Sequence, residues 1–399
     1  MKNKLLCALF LLLLAAAVYI QFSPADQKSI ESENRSLTAM PKISSKTLAS
    51  GRFMKDFESH INDTVGYRSY FIDAADKINN TGGIEPPDGK VLYTDKDIGT
   101  EVIKKSCLLV LEDKIMEVFS STAKAEKTYT DAINTCAENL PKDVAVYSML
   151  IPTQLAFGQP MYKNIQTDQK KTIDNIYSGL DKRIKTVDVY SALEKHQDEY
   201  IFFRTDHHWT QLGAYYGCWA LTAATGVKPA PMSEFEKRTQ KEKFWGYLSE
   251  KAPDEISSES RDVLEWYNID EKYKLRYTFR SYNEDNTYSS YRGAMYNRSA
   301  NDYGFFFKSD HPYVKIRNSS ISNGRCIMLI KDSYANALAP WLVTGFENVI
   351  MIDPRSFDGD ITEIIKTEKV TDLVFMHYVF TTGFGDYCKM MTDMWQHAR

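Results

Sequence analysis

The chain lacks any ready-made metal cage. Its 399 residues hold seven histidines and six cysteines, with no CxxC pair and no HExxH. The cysteines (Cys7, Cys107, Cys136, Cys218, Cys326 and Cys388) are too scattered for a disulfide scaffold. Five follow the N-terminal apolar run, so at least one of them stays unpaired. Cys107, Cys218 and Cys326 lie in apolar contexts and read as small buried hydrophobes. Charge of one sign is lacking too. Forty-nine basic residues against 53 acidic ones leave a net charge of -4, which gives no electrostatic footprint for nucleic acid. No internal repeat and no low-complexity tract is present, which removes repeat architectures. What is present is apolar mass: 43% hydrophobic residues and 25 tyrosines. Aromatic faces with polar tips suit sugars, and equally suit cores and interfaces.

The N-terminus reads as an anchor. Lys2 and Lys4 precede an unbroken apolar run from Leu5 to Ile20, which Gln21-Phe22-Ser23-Pro24 ends. The run is short for a spanning helix and long for a signal-peptide core. Val18, Tyr19 and Ile20 continue past the small Ala15-Ala16-Ala17 patch. An uncleaved signal anchor over 1–24 is expected, with the lysines cytoplasmic and the rest outside; cleavage would make the protein secreted instead. Residues 25–105 read as a membrane-proximal segment, with Phe53, Phe57, His60 and Ile61 on one helical face.

From 106 to 399 the pattern is alternating α and β. Short apolar runs at 107–111, 144–151, 186–190, 200–203, 326–330, 349–352 and 373–376 read as strands. Helices are expected over 119–140, 173–184, 211–225, 334–343 and 360–367. On the helix over 211–225, Leu212, Tyr215, Trp219 and Ala223 share a face. This alternation predicts an α/β fold with a mainly parallel sheet and helices on both faces. Residues 230–322 are rich in Ser, Asn, Asp, Tyr and Arg and read as an irregular β and loop insertion.

Sites in open α/β sheets lie beyond the carboxyl ends of strands. Two stretches qualify. RTDHHWT follows the run YIFF at 200–203. If the chain stays extended, Asp206 and His208 point one way and His207 the other. A carboxylate two residues from an imidazole fixes its tautomer, so His208 is the candidate general base and His207 is structural. The second stretch is Lys331-Asp332-Ser333-Tyr334, between the run CIMLI and the helix-like ANALAPWL. Strand, tight turn, serine and helix form a nucleophile elbow, with free N–H groups to stabilise an oxyanion. Ser333 is then a nucleophile awaiting a base. The bland alternatives stay open: Ser333 as a helix N-cap, Asp206 capping the helix from Thr210, and the histidines as satisfied polar residues. A metal site at Asp206, His207 and His208 is less favoured, because adjacent histidines on a strand diverge. His377 is the one further histidine able to join either stretch.

These blocks together resemble the bacterial DHHW protein family. ENRSL at 33–37, Pro41 and GRFMKDFE at 51–58 look like its N-terminal block. DHHWTQLGAYYG at 206–217 looks like its central block, and KDSYANALAPWL at 331–342 with IDPRSF at 352–357 like its C-terminal block. That family is similar to the SGNH-hydrolase-like (flavodoxin-like) domain of the alginate O-acetylation proteins AlgJ and AlgX. The resemblance implies Ser333 as nucleophile, His208 as base and Asp206 as its partner, in a circularly permuted order with the Asp-x-His pair before the serine. KDS stands where many SGNH enzymes have GDS, and their Gly and Asn oxyanion contributors have no match here. No cofactor and no metal are implied. The implied chemistry is acyl transfer: a serine O-acetyltransferase or acetylesterase acting on cell-surface polysaccharide. A carbohydrate acceptor and a membrane-bound O-acyltransferase as acyl donor are implied partners. The rival reading is a non-catalytic glycan-binding or assembly protein, suggested by aromatics of the insertion such as Trp245, Tyr247 and Tyr303.

Overall fold

The computed structural model describes residues 106–395 apart from 159–161, 163–164, 253–255 and 283–287, the strand at 89–94, and Tyr19, Met40, Lys42, Ile43, Phe53, Met54, Phe57 and His60. The chain divides into two compact units, 1–84 and 85–399. In the first, Phe53, Met54, Phe57 and His60 are helical, and the Phe53 and Phe57 rings stack with centroids 5.7 Å apart. Apart from Tyr19, the apolar run expected to anchor the chain lies outside the described residues. No helix among the described residues is long and apolar enough to cross a membrane.

The second unit opens with a three-stranded antiparallel sheet: β1 (Gly89–Thr94), β2 (Ser106–Leu111) and β3 (Ile115–Glu117), paired in that order. Then come α1 (Ala123–Glu138), β4 (Ala145–Ile151), α2 (Gln169–Ser178), β5 (Ile184–Thr186), α3 (Val189–Glu194) and α4 (Gln211–Thr225). The region from 230 adds β6 (Lys237–Thr239), β7 (Glu265–Tyr267), α5 (Ile269–Lys272), β8 (Leu275–Tyr282), β9 (Tyr288–Tyr291) and β10 (Tyr313–Asn318). The chain closes with β11 (Cys326–Lys331), α6 (Ala335–Leu342), β12 (Asn348–Ile352), α7 (Ile361–Thr367), β13 (Asp372–Tyr378) and α8 (Gly385–Asp393).

Eight strands form the main sheet in the order β5-β4-β13-β11-β12-β10-β8-β9. Five are mutually parallel, from β5 to β12. The other three join antiparallel, β10 on β12, β8 on β10 and β9 on β8. Counted from β11 onward and wrapping past the C-terminus to β4 and β5, the parallel strands lie in the order 2-1-3-4-5. That is the flavodoxin-like order, reached by a permuted chain.

The parallel strands β4, β11, β12 and β13 are buried on both faces, which is why they read as unbroken apolar runs; the edge strand β5 is exposed at Lys185 and Thr186. In β11, Ile327 and Leu329 join the core under α4 and α6, while Cys326, Met328 and Ile330 join the core under α1, α2, α7 and α8. Side chains cap the helix starts: Thr122 accepts from Ala125 N at 3.2 Å, and Asp360 from Thr362 N at 2.8 Å.

Several expectations need correction. The run 107–111 is not part of the parallel sheet; β2 pairs with β1 and β3. The run 186–190 is not a strand, because β5 ends at Thr186 and α3 begins at Val189, capped by Asp188. YIFF is no sheet strand either; Phe202 makes one isolated bridge to Trp209. The insertion is more regular than expected, since β8, β9 and β10 extend the main sheet. Cys136, Cys218, Cys326 and Cys388 are free thiols and buried, and Cys107 is half-buried rather than buried.

Candidate active site

The stretch 200–210 forms a narrow hairpin. Phe203 N donates to His208 O at 3.2 Å and Thr210 N to Ile201 O at 2.9 Å, so residues 204–207 make the turn. Buried Asp262 holds this turn through Tyr200 Oη at 2.6 Å, Arg204 N at 2.6 Å and Thr205 N at 2.8 Å. Because the chain turns, side-chain alternation does not apply. His207 therefore does not point away from His208. Their rings lie 3.9 Å apart and line the same cleft. Thr210, not Asp206, caps α4, accepting from Gly213 N at 3.3 Å.

Ser333 follows β11 at the bend into α6. Its Oγ caps nothing; it lies 2.7 Å from His208 Nε2. His208 Nδ1 lies 2.6 Å from Asp206 Oδ1, which also accepts the His208 N–H at 2.9 Å. Asp206 Oδ2 accepts from Tyr247 N at 3.0 Å. Asp206 and His208 are each 7% exposed. Burial alone would raise the Asp206 carboxyl. The adjacent His208 charge and its hydrogen bond, with the Tyr247 N–H, outweigh burial and hold it below the usual carboxylate range. An ionised Asp206 accepts from Nδ1–H, which leaves the Nε2 lone pair for the Ser333 hydroxyl.

Two features steady this chain of groups. The Tyr303 ring lies face to face on the His208 ring, centroids 3.5 Å apart and planes within 5°, and its hydroxyl donates to Ser333 O at 2.8 Å. Trp209 Nε1 donates to Tyr334 O at 2.9 Å, and the Tyr334 hydroxyl donates to His207 O. The two stretches, 125 residues apart in sequence, are thus sewn together on both flanks.

Asp332 fixes the elbow. Its Oδ1 accepts from Tyr334 N at 3.1 Å, and its Oδ2 from Tyr378 N and Thr381 Oγ1 at 2.8 Å each. Burial raises its carboxyl to about 6 in spite of these donors. Tyr378 ends β13 and Ser333 follows β11, so the elbow sits at the switch point of the sheet. No acceptor among the described residues takes the Ser333 N–H, which leaves it available to an oxyanion. A second donor of that kind is not evident. Asn336 is turned onto Asp310 at 3.0 Å, and the Gly246 and Gly304 N–H groups are taken by Thr205 Oγ1 and Asp302 Oδ1, each at 2.8 Å.

Lys331, 1% exposed, explains KDS. Its Nζ meets Asp310 Oδ1 at 2.5 Å and Asp353 Oδ2 at 3.2 Å; Arg355 Nη2 meets Asp310 Oδ2 and Asp353 Oδ2 at 2.6 Å each. Two cations and two carboxylates close a charge-balanced network beside the serine. Burial disfavours the Arg355 charge, but these carboxylates hold it on.

His377 does not join the site. It is fully buried, its Nδ1 lies 2.7 Å from Tyr129 Oη, and burial with the Arg355 charge depresses it to about 3. Ligand atoms of Asp206, His207 and His208 lie within 4.8 Å of one another, close enough to surround a cation. Doing so would compete with the bonds His208 makes to Asp206 and Ser333. Tyr247 and Tyr303, read from the sequence as glycan-binding aromatics, instead serve Asp206 and His208; Asp310 was missed, and Arg355 carried a signal only through the IDPR stretch.

The cleft over Ser333 has a volume of about 380 Å³. Among solved structures, a DHHW family protein from Eubacterium siraeum is 25% identical, with 77% of this chain and 98% of that one covered at a TM-score of 0.62. PatB1 of Bacillus cereus is 19% identical, with 71% and 99% covered at 0.58. The O-acetyltransferase domain of Pseudomonas putida AlgJ is 12% identical, with 71% and 96% covered at 0.40. No curated protein gives a significant match. The fold is the SGNH-hydrolase-like α/β fold. The family model described as DHHW protein matches residues 94–352, and the chain belongs to the DHHW protein family.

Proposed function

We propose that the protein is a serine O-acetyltransferase or acetylesterase that moves acetyl groups on or off a cell-surface polysaccharide. The observation that carries this reading is the unbroken series Asp206–His208–Ser333, with contacts of 2.6 and 2.7 Å, opening into a cleft. In the proposed mechanism Ser333 Oγ attacks the acetyl carbonyl as its proton passes to His208 Nε2. Asp206 stabilises the resulting imidazolium. The Ser333 N–H, at the start of α6, receives the oxyanion. His208 returns the proton to the departing alcohol, leaving acetyl-Ser333. A sugar hydroxyl or water then gives up its proton to His208 and takes the acetyl group. Transfer and hydrolysis differ only in that second nucleophile.

In this reading the acyl donor is presented by a membrane-bound O-acyltransferase, and the 106–399 region works outside the cytoplasm. The run at 5–20 tethers it to the membrane, or is cleaved to release it. The test compares hydrolysis of a chromogenic acetyl ester by the wild type and Ser333→Ala, with mass spectrometry of the serine peptide. Expected are a loss on the order of 10⁴-fold or more and an acetyl adduct on Ser333. Equal activity in both proteins, with no adduct, would return the protein to the glycan-binding reading.

A further inference from the structure

Resting on that reading, we propose that the cleft selects a pyranose glycan without acid groups. The sugar face stacks on Trp245, and Glu250 and Asp302 accept hydroxyl or amine hydrogens. A uronate or phosphodiester polymer is refused.

The cleft has two walls. One is the α/β core with Ser333 and His208. The other comes from the insertion: Trp245 and the turn Tyr247–Lys251 carrying Glu250, then Asp302 before the turn Tyr303–Phe305. The charges at the bottom are accounted for. Arg355 and Asp310 are closed into the network with Lys331 and Asp353. Asp206 serves His208, and Asp332 accepts three hydrogen bonds. Glu250 and Asp302 remain. Both are exposed, and neither has an ion-pair partner among the described residues; one Asp302 oxygen accepts the Gly304 N–H at 2.8 Å. A chain approaching Ser333 therefore passes two solvent-facing carboxylates. Arg355, the one Lys or Arg among the described residues that line the cleft, is already held by two carboxylates.

Carboxylates are acceptors only, so they match hydroxyl and ammonium donors and repel anions. Trp245 supplies the flat apolar surface. It is 37% exposed, and Arg261 lies over its ring at 5.3 Å. Lys251 lies over Tyr247 at 4.9 Å. Neither cation lines the cleft. The C–H face of a pyranose complements an indole face, and the cleft volume suits a short stretch of chain.

The test uses full-length Ser333→Ala, which binds without turnover, and calorimetry at low and raised ionic strength. The probes are oligosaccharides of equal length: N-acetylglucosamine, glucosamine and uronate. Binding of the first two and no binding of the uronate is expected. Trp245→Ala should weaken binding about tenfold, or 1.4 kcal/mol. Glu250→Lys with Asp302→Lys should admit the uronate and weaken glucosamine; Glu250→Gln with Asp302→Asn is the milder control should the double lysine variant misfold. Uronate binding at least as tight as that of the neutral chain, binding of none of the three, or indifference to all these substitutions overturns the proposal. Failure of the acyl-transfer reading shows separately, as ester hydrolysis that survives Ser333→Ala.

Discussion

Tyr303 touches both ends of the proposed proton transfer, its ring against His208 and its hydroxyl on the Ser333 carbonyl. It is a positioning residue, and its two contacts can be separated. Tyr303→Phe keeps the stacked ring and loses one hydrogen bond, which is worth about 1 kcal/mol; a few-fold fall in kcat is expected. Tyr303→Leu removes the flat ring as well, and kcat for the acetyl ester should fall on the order of 100-fold with KM unchanged. Equal losses would assign the effect to the hydroxyl alone. Asp332 gives a pH signature. Its folded carboxyl sits at about 6 against an ordinary 3.8. The folded state thus holds the proton more tightly than the unfolded chain. The resulting stabilisation is complete below 3.8 and is lost as pH rises through about 6. Urea titrations should show the wild type losing more stability than Asp332→Asn across that window; parallel curves would contradict the assignment. At this scale the meeting of Ser333, His208 and Asp206 was legible, because each sits where a strand-turn-helix or Asp-x-His pattern has a local meaning. Tyr303 was noted only as a glycan-binding aromatic; its place against His208 and Ser333 was not legible, since it lies in a stretch without periodicity, one tyrosine among 25.

The elements that hold the site were read less well than those of the sheet. YIFF has strand composition, yet residues 201–210 close on themselves, and a turn brings both histidines to one side. Helix α4 has the predicted bounds, but its buried face is Gly213, Ala214, Gly217, Cys218 and Leu221, while Trp219 is 37% exposed. Small residues allow close contact that an apolar periodicity cannot reveal: a Cβ at Gly213 would stand 2.3 Å from Ile201 O. Gly246 has the same role between the insertion and the hairpin. A Cβ there would meet Asp206 Cβ and Thr205 O at 2.5 Å each, beside the Tyr247 N–H that Asp206 accepts. Gly246→Ala should cost roughly 2 kcal/mol or more in chemical denaturation, and it should lower kcat by displacing Asp206. A variant as stable and as active as the wild type would show that this approach is adjustable.

For the molecule as a whole, the parallel core was legible at β4, β11, β12 and β13, because each is buried on both faces and reads as one apolar run; the exposed edge strand β5 was misplaced. The antiparallel wing was not. Strand β9 is exposed along its length and β8 is mostly half-buried, so neither is marked in the sequence. Strand β1 was missed too, and it bears on where the second unit begins. We propose a boundary near 85 rather than 106. Leu92 packs on the cluster of Leu108, Val110, Ile115, Leu248 and Ala252, and β1 pairs with β2 along six residue positions. A fragment 85–399 should melt cooperatively and hydrolyse the acetyl ester. A fragment 106–399 should melt several degrees lower by calorimetry; identical melting would place β1 outside the working unit.

The permuted order also sets a timetable. Strand β13, at residues 372–378, lies between β4 and β11 and is the last strand of the chain. Until it emerges, β4 and β5 have no link to the rest of the sheet. His208 and Ser333 are therefore both made before the strand that completes the parallel sheet, and the chain spends its synthesis with an open parallel edge. A chain cut short ahead of β13 leaves a sheet with its middle missing. Completion of the core is in this sense a single late event, which follows the synthesis of both His208 and Ser333.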